Sequence, residues 1–279
     1  MAKTTPSSHP TVTFDDYAAD YARHRRVHPG VFEALESSLA HAARVLDVGC
    51  GTGNYAIALR HRCDISVVGI DPSKSMLEQA AERSRDVHWI CGRAEVLPFA
   101  AQSFDLIFSV DVVHHIRDRL AAFREARRVL RPGGWCCTVT DSEEDIVRRE
   151  PLSRYFPATV PVELARYPRV ATIEQELATA GFNDIRREHV EHPFVVTDVE
   201  PYRSRVFSSL RLIADEQVEA GVRRMEADLR HGPIPALSLY TLIWARAPQD
   251  DETGSFSSNR IQHQGPTGDD VAGRSFAGL

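Results

Sequence analysis

Lysine is nearly missing from this chain: Lys3 and Lys74 are the only two, and every other basic side chain is arginine or histidine. Acidic residues outnumber basic ones, 39 to 33, and the net charge of -6 provides no overall positive field to draw in nucleic acid. Also missing is any apolar run approaching the roughly 20 residues of a membrane span. The opening Met-Ala-Lys-Thr-Thr-Pro-Ser-Ser lacks the apolar centre of a secretory signal. The sequence therefore reads as soluble and cytoplasmic, with neither membrane nor nucleic acid as a partner. Five cysteines, Cys50, Cys63, Cys91, Cys136 and Cys137, form no C-x-x-C pair and no disulfide framework, so reduced thiols are expected. No group of His, Asp and Glu has metal-ligand spacing, which predicts no metal. There is no internal repeat.

What is present suits one α/β domain with insertions: 279 residues, of which 43% are hydrophobic. The polar start, residues 1–10, and the Ser-, Gly-, Asp- and Gln-rich end, 250–279, read as disordered tails around a domain at 11–249. Within it, Ala43-Arg-Val-Leu-Asp-Val-Gly-Cys-Gly-Thr-Gly53 organises the rest. Val45, Leu46 and Val48 suit a buried parallel strand, and the alternate glycines 49, 51 and 53 mark backbone with no room for a Cβ. A strand, a glycine turn and a helix N-terminus make a nucleotide-binding corner. The spacing is G-x-G-x-G and not the G-x-G-x-x-G of dinucleotide sites. Asp47, two positions before Gly49, would repel a diphosphate and attract a cation. Both features disfavour a nicotinamide oxidoreductase and suit S-adenosylmethionine, which carries a sulfonium, an ammonium and no phosphate.

From Val45 onward strand and helix patterns alternate, the mark of a parallel sheet. Strands are predicted at 44–48, 65–70, 87–91, 104–110, 134–140, 185–190 and 240–245, with helices at 53–61, 73–84, 117–130 and 173–180. Ahead of the sheet, Tyr17 and Tyr21 lie one helical turn apart, and Phe32, Leu35 and Leu39 make a second stripe. Arg131-Pro-Gly-Gly134 should end the helix before the fifth strand. An insertion at 199–232 carries Val218, Val222, Met225 and Leu229 at helical intervals, so a lid helix is expected there. Asp71, closing the second strand, reads either as the cap of the next helix with Pro72 at its first position, or as a ligand carboxylate.

These segments together resemble a known family. Asp47-Val-Gly-Cys-Gly-Thr-Gly53, Gly69-Ile-Asp71, Gly92-Arg-Ala-Glu-Val-Leu-Pro-Phe99, Ser103-Phe-Asp-Leu-Ile107, His114-His-Ile116 and Arg128-Val-Leu-Arg-Pro-Gly-Gly134 look like the ordered signatures of class I S-adenosylmethionine-dependent methyltransferases. The likeness covers about residues 17–140 and is nearest the small-molecule branch with the ubiquinone and menaquinone enzymes. It implies a Rossmann-like seven-stranded α/β sheet in the order 3-2-1-4-5-7-6, the last strand antiparallel, with helices on both faces and a helical lid. The cofactor implied is S-adenosyl-L-methionine, and the partner a small-molecule substrate.

By the same resemblance, Tyr17 and Arg23 fold over the cofactor, and the backbone of Gly49, Cys50 and Gly51 approaches its methionine part. Asp47 holds the ammonium, Asp71 with Pro72 the ribose, Met76 packs near the adenine, and Ser109 lines the cofactor. The family most often has Asp where Arg93 stands, and a guanidinium accepts no hydrogen bond, so Ala94 and Glu95 are expected to serve the adenine instead. After the fourth strand, Ser109-Val-Asp-Val-Val-His-His-Ile carries no Asn/Asp-Pro-Pro-aromatic motif, which disfavours methylation of exocyclic base amines. His114 is the candidate catalytic base. The insertion's arginines, Arg223, Arg224 and Arg230, hint at an anionic acceptor. Methyl transfer to a small molecule leads; aminocarboxypropyl transfer, cyclisation of the cofactor, or a non-catalytic cofactor-binding module are the alternatives.

Overall fold

The computed structural model describes residues 26–39 and 44–249; Tyr17, Arg23 and both proposed tails lie outside them. Helix α1 (Pro29–Ser38) leads to β1 (Arg44–Val48), α2 (Asn54–Arg62), β2 (Ser66–Asp71), α3 (Lys74–Arg83) and β3 (His88–Cys91). Then come β4 (Phe104–Val110), α4 (Arg119–Val129) and β5 (Leu130–Thr140). Three short helices follow, α5 (Glu143–Arg148), α6 (Leu152–Tyr155) and α7 (Thr159–Arg166), before α8 (Val170–Thr179) and β6 (Asn183–Val196). The chain continues through α9 (Glu200–Arg203) and α10 (Asp215–Leu229) to β7 (Ile234–Arg246).

The sheet has seven strands in the order β3-β2-β1-β4-β5-β7-β6. The first five run parallel, and β7 lies antiparallel to both β5 and β6. Alternation along each strand sends side chains to two faces. Leu46, Ile107, Cys136 and Ile243 join one core with α4 and α8, while Val45, Phe108, Cys137 and Leu242 join another with α1 and α2. Helices therefore cover both faces, as expected.

The fifth strand starts earlier than its sequence suggests. Arg131-Pro-Gly-Gly134 is a bulge inside β5: the register jumps from Phe104 opposite Leu130 to Leu106 opposite Trp135, and Gly133 takes φ +76°. Pairing survives the bulge because Gly133 N–H donates to Ala247 O (3.0 Å) and Ala247 N–H to Gly134 O (2.8 Å).

The last two strands are longer than expected, and their extensions carry the lid. Beyond Thr241, β7 no longer pairs with β5, so Pro235 sits where no amide is needed on that side. There Val196, Ile234 and Ala236 gather a third core from two insertions, Leu152, Tyr155 and Phe156 of one with Tyr202, Leu210, Val218, Val222 and Met225 of the other. The predicted lid helix is present as α10, but half of the lid comes from residues 141–169, where short helices left no long periodic stripe to read.

At the centre of this third core α10 packs directly on Phe156. A Cβ on Gly221 would fall 2.2 Å from a Phe156 ring carbon and 2.7 Å from Tyr155 O. The variant Gly221→Ala should lose about 1–3 kcal/mol by overpacking. Hydrogen exchange should speed up in both insertions and not in β1, β2 or β4; unchanged lid exchange would refute the packing described.

Candidate functional site

Backbone geometry makes the first corner. Gly49, Gly51 and Gly53 have φ of +72°, +52° and +82°, a left-handed region closed to most side chains. Gly49 and Cys50 both donate N–H to Ile70 O (2.7 and 3.1 Å), tying the end of β1 to β2. Asp71 clamps the same corner: one carboxylate oxygen accepts from Gly51 N–H and the other from Ser73 N–H, each at 2.8 Å. Asp71 is not the helix cap considered from its sequence; Ser73 is, accepting from Met76 N–H, and Asp71 points back towards the glycines.

Asp47 is 3% exposed. Burial, with the Asp71 charge adding, pushes its carboxyl up to about 8 despite a hydrogen bond from the Ala56 backbone. A buried carboxylate in that state is stabilised by an incoming cation. Asp47, Gly49, Cys50 and Gly51 line a small recess together with Arg26, Asn54, Tyr55, Val110, Asp111 and Tyr240. A ligand that is cationic at one end and carries a carboxylate fits this set, which holds both Asp47 and Arg26.

The other sequence candidates stand further along the same edge. Met76 is buried at 2%, within α3. Ala94 packs against the core, and Gly92 N–H donates to Asp71 O (3.1 Å), holding the loop after β3 beside the corner. Glu95 pairs with Arg93 (3.2 Å). Burial works to raise its carboxyl, but hydrogen bonds from its own backbone, from Arg93 and from the Arg117 backbone hold it below the usual range. Cys91 Sγ reaches Pro72 O at 3.8 Å. Ser109 is half-buried in β4, and its two successors, Val110 and Asp111, form the recess wall.

A larger recess, of about 130 Å³, opens between the ends of β4, β5 and β7 and the lid. Leu152, Phe194, Tyr202, Phe207 and Leu237 give it an apolar side. Its polar side holds Asp111, His114, His115, Asp141, Arg149, Glu163 and Tyr167. Arg149 bridges Asp141 and Glu163, and Arg166 pairs with Glu163 while donating to Ser208 Oγ at 3.0 Å. Burial raises Asp141 to about 7, with the Arg149 charge opposing.

His114 lies stacked on Tyr167, rings 3.9 Å apart, with His115 at 4.1 Å on another side. His115 faces the recess yet is crowded by protein atoms; this desolvation, then the Arg166 charge, pushes it down to about 4. Asp111 takes φ +59°, a conformation costing a non-glycine residue about 1–2 kcal/mol. Its N–H donates to Val139 O (3.0 Å), and Tyr240 Oη donates to its carboxylate at 2.7 Å.

Sequence reasoning missed Arg26, Tyr55, Asp111, Tyr240 and the Arg149–Glu163 network. Asp111 had one signal, its place at the end of β4 next to the histidines. The others had none, since they come from segments brought together only by folding. Of the insertion's arginines, Arg224 donates to Tyr155 O and Arg223 pairs with Glu219, and neither lines the larger recess.

Comparison with known proteins agrees with this geometry. A family model described as a methyltransferase domain matches residues 46–138. Demethylmenaquinone methyltransferase of Staphylococcus aureus is 30% identical over 59% of this chain and 71% of its own length. Methyltransferase GfsG of Streptomyces halstedii is 39% identical, but over only 37% of this chain and 39% of that protein. Among solved structures, Haemonchus contortus phosphoethanolamine N-methyltransferase 2 in complex with S-adenosyl-L-methionine superimposes with a TM-score of 0.55. That match has 22% identity and covers 86% of this chain and 61% of that one.

The charge network supplies a direct test. In Arg149→Met, Asp141 and Glu163 remain buried without their shared cation, which should destabilise the protein by about 3–5 kcal/mol in urea unfolding at neutral pH. The loss should shrink as pH falls through about 7 and the raised carboxyl of Asp141 takes up a proton. A pH-independent loss would mean that packing, not charge, is what Arg149 contributes.

Proposed function

The chain belongs to the S-adenosylmethionine-dependent methyltransferases, and on that premise we propose that it methylates a small molecule held in the larger recess. One observation carries this reading: the recess beside the glycine corner and the recess beneath the lid share a wall, Asp111 and Tyr240. A donor in one and an acceptor in the other would meet there. Bound in the smaller recess, the cofactor supplies a methyl group on a positively charged sulfur.

The residues divide the work as follows. Asp47 receives the ammonium, Arg26 the carboxylate, and the glycine turn leaves room for the methionine part. Asp71 takes the ribose hydroxyls while bracing Gly51, with Pro72 and Met76 behind it and Ala94 and Glu95 at the adenine side. Ser109 supports the wall of the cofactor recess, and Tyr17 and Arg23 would close over it from the N-terminal segment. Lid side chains keep water from the acceptor, and holding two reactants in line can lower a barrier by about 7–11 kcal/mol. His114 lines the acceptor recess and not the cofactor recess, and would contact the acceptor there. A cytoplasmic setting is part of the proposal, supported by five unpaired cysteines. Among the described residues no helix is long and apolar enough to cross a membrane, and no cluster could hold a metal ion.

Incubating the protein with methyl-labelled S-adenosylmethionine and a metabolite extract tests the function as a whole. Label in a small molecule, with S-adenosylhomocysteine as co-product, is expected; methylthioadenosine instead would point to aminocarboxypropyl transfer. Asp71→Ala should weaken binding of both cofactor forms tenfold or more, from the loss of charge-assisted hydrogen bonds of about 1.5–3 kcal/mol.

Proton linkage tests Asp47. Because its carboxyl is raised to about 8, it holds a proton at neutral pH in the free protein, and an adjacent ammonium lowers it. Cofactor binding near neutral pH should therefore release up to about one proton, less as pH rises past that value. Calorimetry in buffers of different ionisation enthalpy reads this directly. Equal heats in all buffers would remove Asp47 from the ammonium site.

A further inference from the structure

We infer that Asp111 accepts the proton of the methyl acceptor, and that this acceptor is a neutral hydroxyl on an apolar, ring-bearing body. The inference rests on the methyl-transfer reading and names its base and substrate class. Asp111 and Tyr240 are the residues common to both recesses, so they stand where the transferred group must pass. Tyr240 Oη, 2.7 Å from the carboxylate, orients it, and the left-handed backbone at φ +59° turns the Asp111 side chain off the line of β4. His114 is placed differently: it touches the acceptor side only, and its ring is stacked against Tyr167 and His115.

Charge and shape choose the acceptor. The guanidinium in the lining, Arg149, is already tied to Asp141 and Glu163, and Arg166, outside the lining, pairs with Glu163. An anionic acceptor would meet Asp111 as well as those acids. Phe194, Phe207 and Leu237 in the same lining offer a surface to a flat apolar group. In the transfer, the oxygen–methyl bond forms as the sulfur–methyl bond breaks. The electron pair of the broken bond stays on sulfur and cancels its charge. The hydroxyl proton passes to Asp111 and then to water, so a cation and a carboxylate become a neutral thioether and a carboxylic acid.

The experiment compares two aromatic acceptors in the wild type and in Asp111→Asn, with labelled S-adenosylmethionine. The first, 2-naphthol, keeps its proton at neutral pH; the second, 2-naphthalenethiol, is already in good part thiolate. The wild type should methylate 2-naphthol. The variant should lose about 100-fold in kcat on it, with KM little changed, as expected for removing a general base. On the thiol the variant should lose no more than a few-fold. Equal losses on both acceptors, near-normal turnover of 2-naphthol by the variant, or no turnover of 2-naphthol by a wild type that binds S-adenosylhomocysteine would each overturn the inference. A wild type that fails to bind S-adenosylhomocysteine would instead bring down the cofactor reading beneath it.

Discussion

Two neighbouring amides, those of Gly49 and Cys50, close on a single carbonyl, Ile70 O, and Asp71 accepts the next free amide of the turn at Gly51. That tie forces the chain leaving β1 through left-handed backbone, which is why glycines stand there. It also brings the ends of β1 and β2 together, so that Asp47 and Asp71 share one edge with the start of α2. The contact extends to β4. A Cβ on Gly49 would meet Val112 at 2.4 Å, so the corner and the loop after β4 are packed without space between them. Asp111, one residue before Val112, reaches the cofactor recess because of that contact.

Electrostatics then separates the two recesses. Beside the glycine corner, carboxylates are crowded and Asp47 is disfavoured as an ion until a cation arrives. Beneath the lid, Arg149 is paired with Asp141 and Glu163, and Leu152, Phe194, Phe207 and Leu237 add apolar surface to the same lining. A buried ion network of this kind adds little net stability over apolar packing. Its value here lies in geometry: Arg149 and Glu163 come from α5–α7 and fasten that insertion over the end of β5, where the acceptor recess is formed.

The sheet and its first corner were legible because their signals are local. Alternating apolar runs, three glycines at fixed spacing and an acid closing β2 each restrict the backbone within a few residues. Local signals failed where pairing partners decide the outcome. The bulge at Arg131-Pro-Gly-Gly134 looks like a helix stop until Ala247 is seen to continue its hydrogen bonds. Asp71 looks like the cap of the next helix, yet Ser73 caps it, because the glycine turn claims an oxygen of the Asp71 carboxylate. β6 and β7 run past the short stretches read for them, pairing through Pro193 and Pro235 as far as Val196 and Ile234.

Family and cofactor class were legible in the sequence, because the strand, its glycine turn and the acids at the ends of β1 and β2 are short local signals in a fixed order. The acceptor side did not. Asp111 and Tyr240 are 129 positions apart and make one hydrogen bond, and Arg149 joins Asp141 and Glu163 across two helices. No periodicity or spacing encodes such meetings, since they depend on how β7 docks beside β5 and how two insertions bury a common core. Tertiary packing therefore decided how the two recesses meet and that Asp111 and Tyr240 line both.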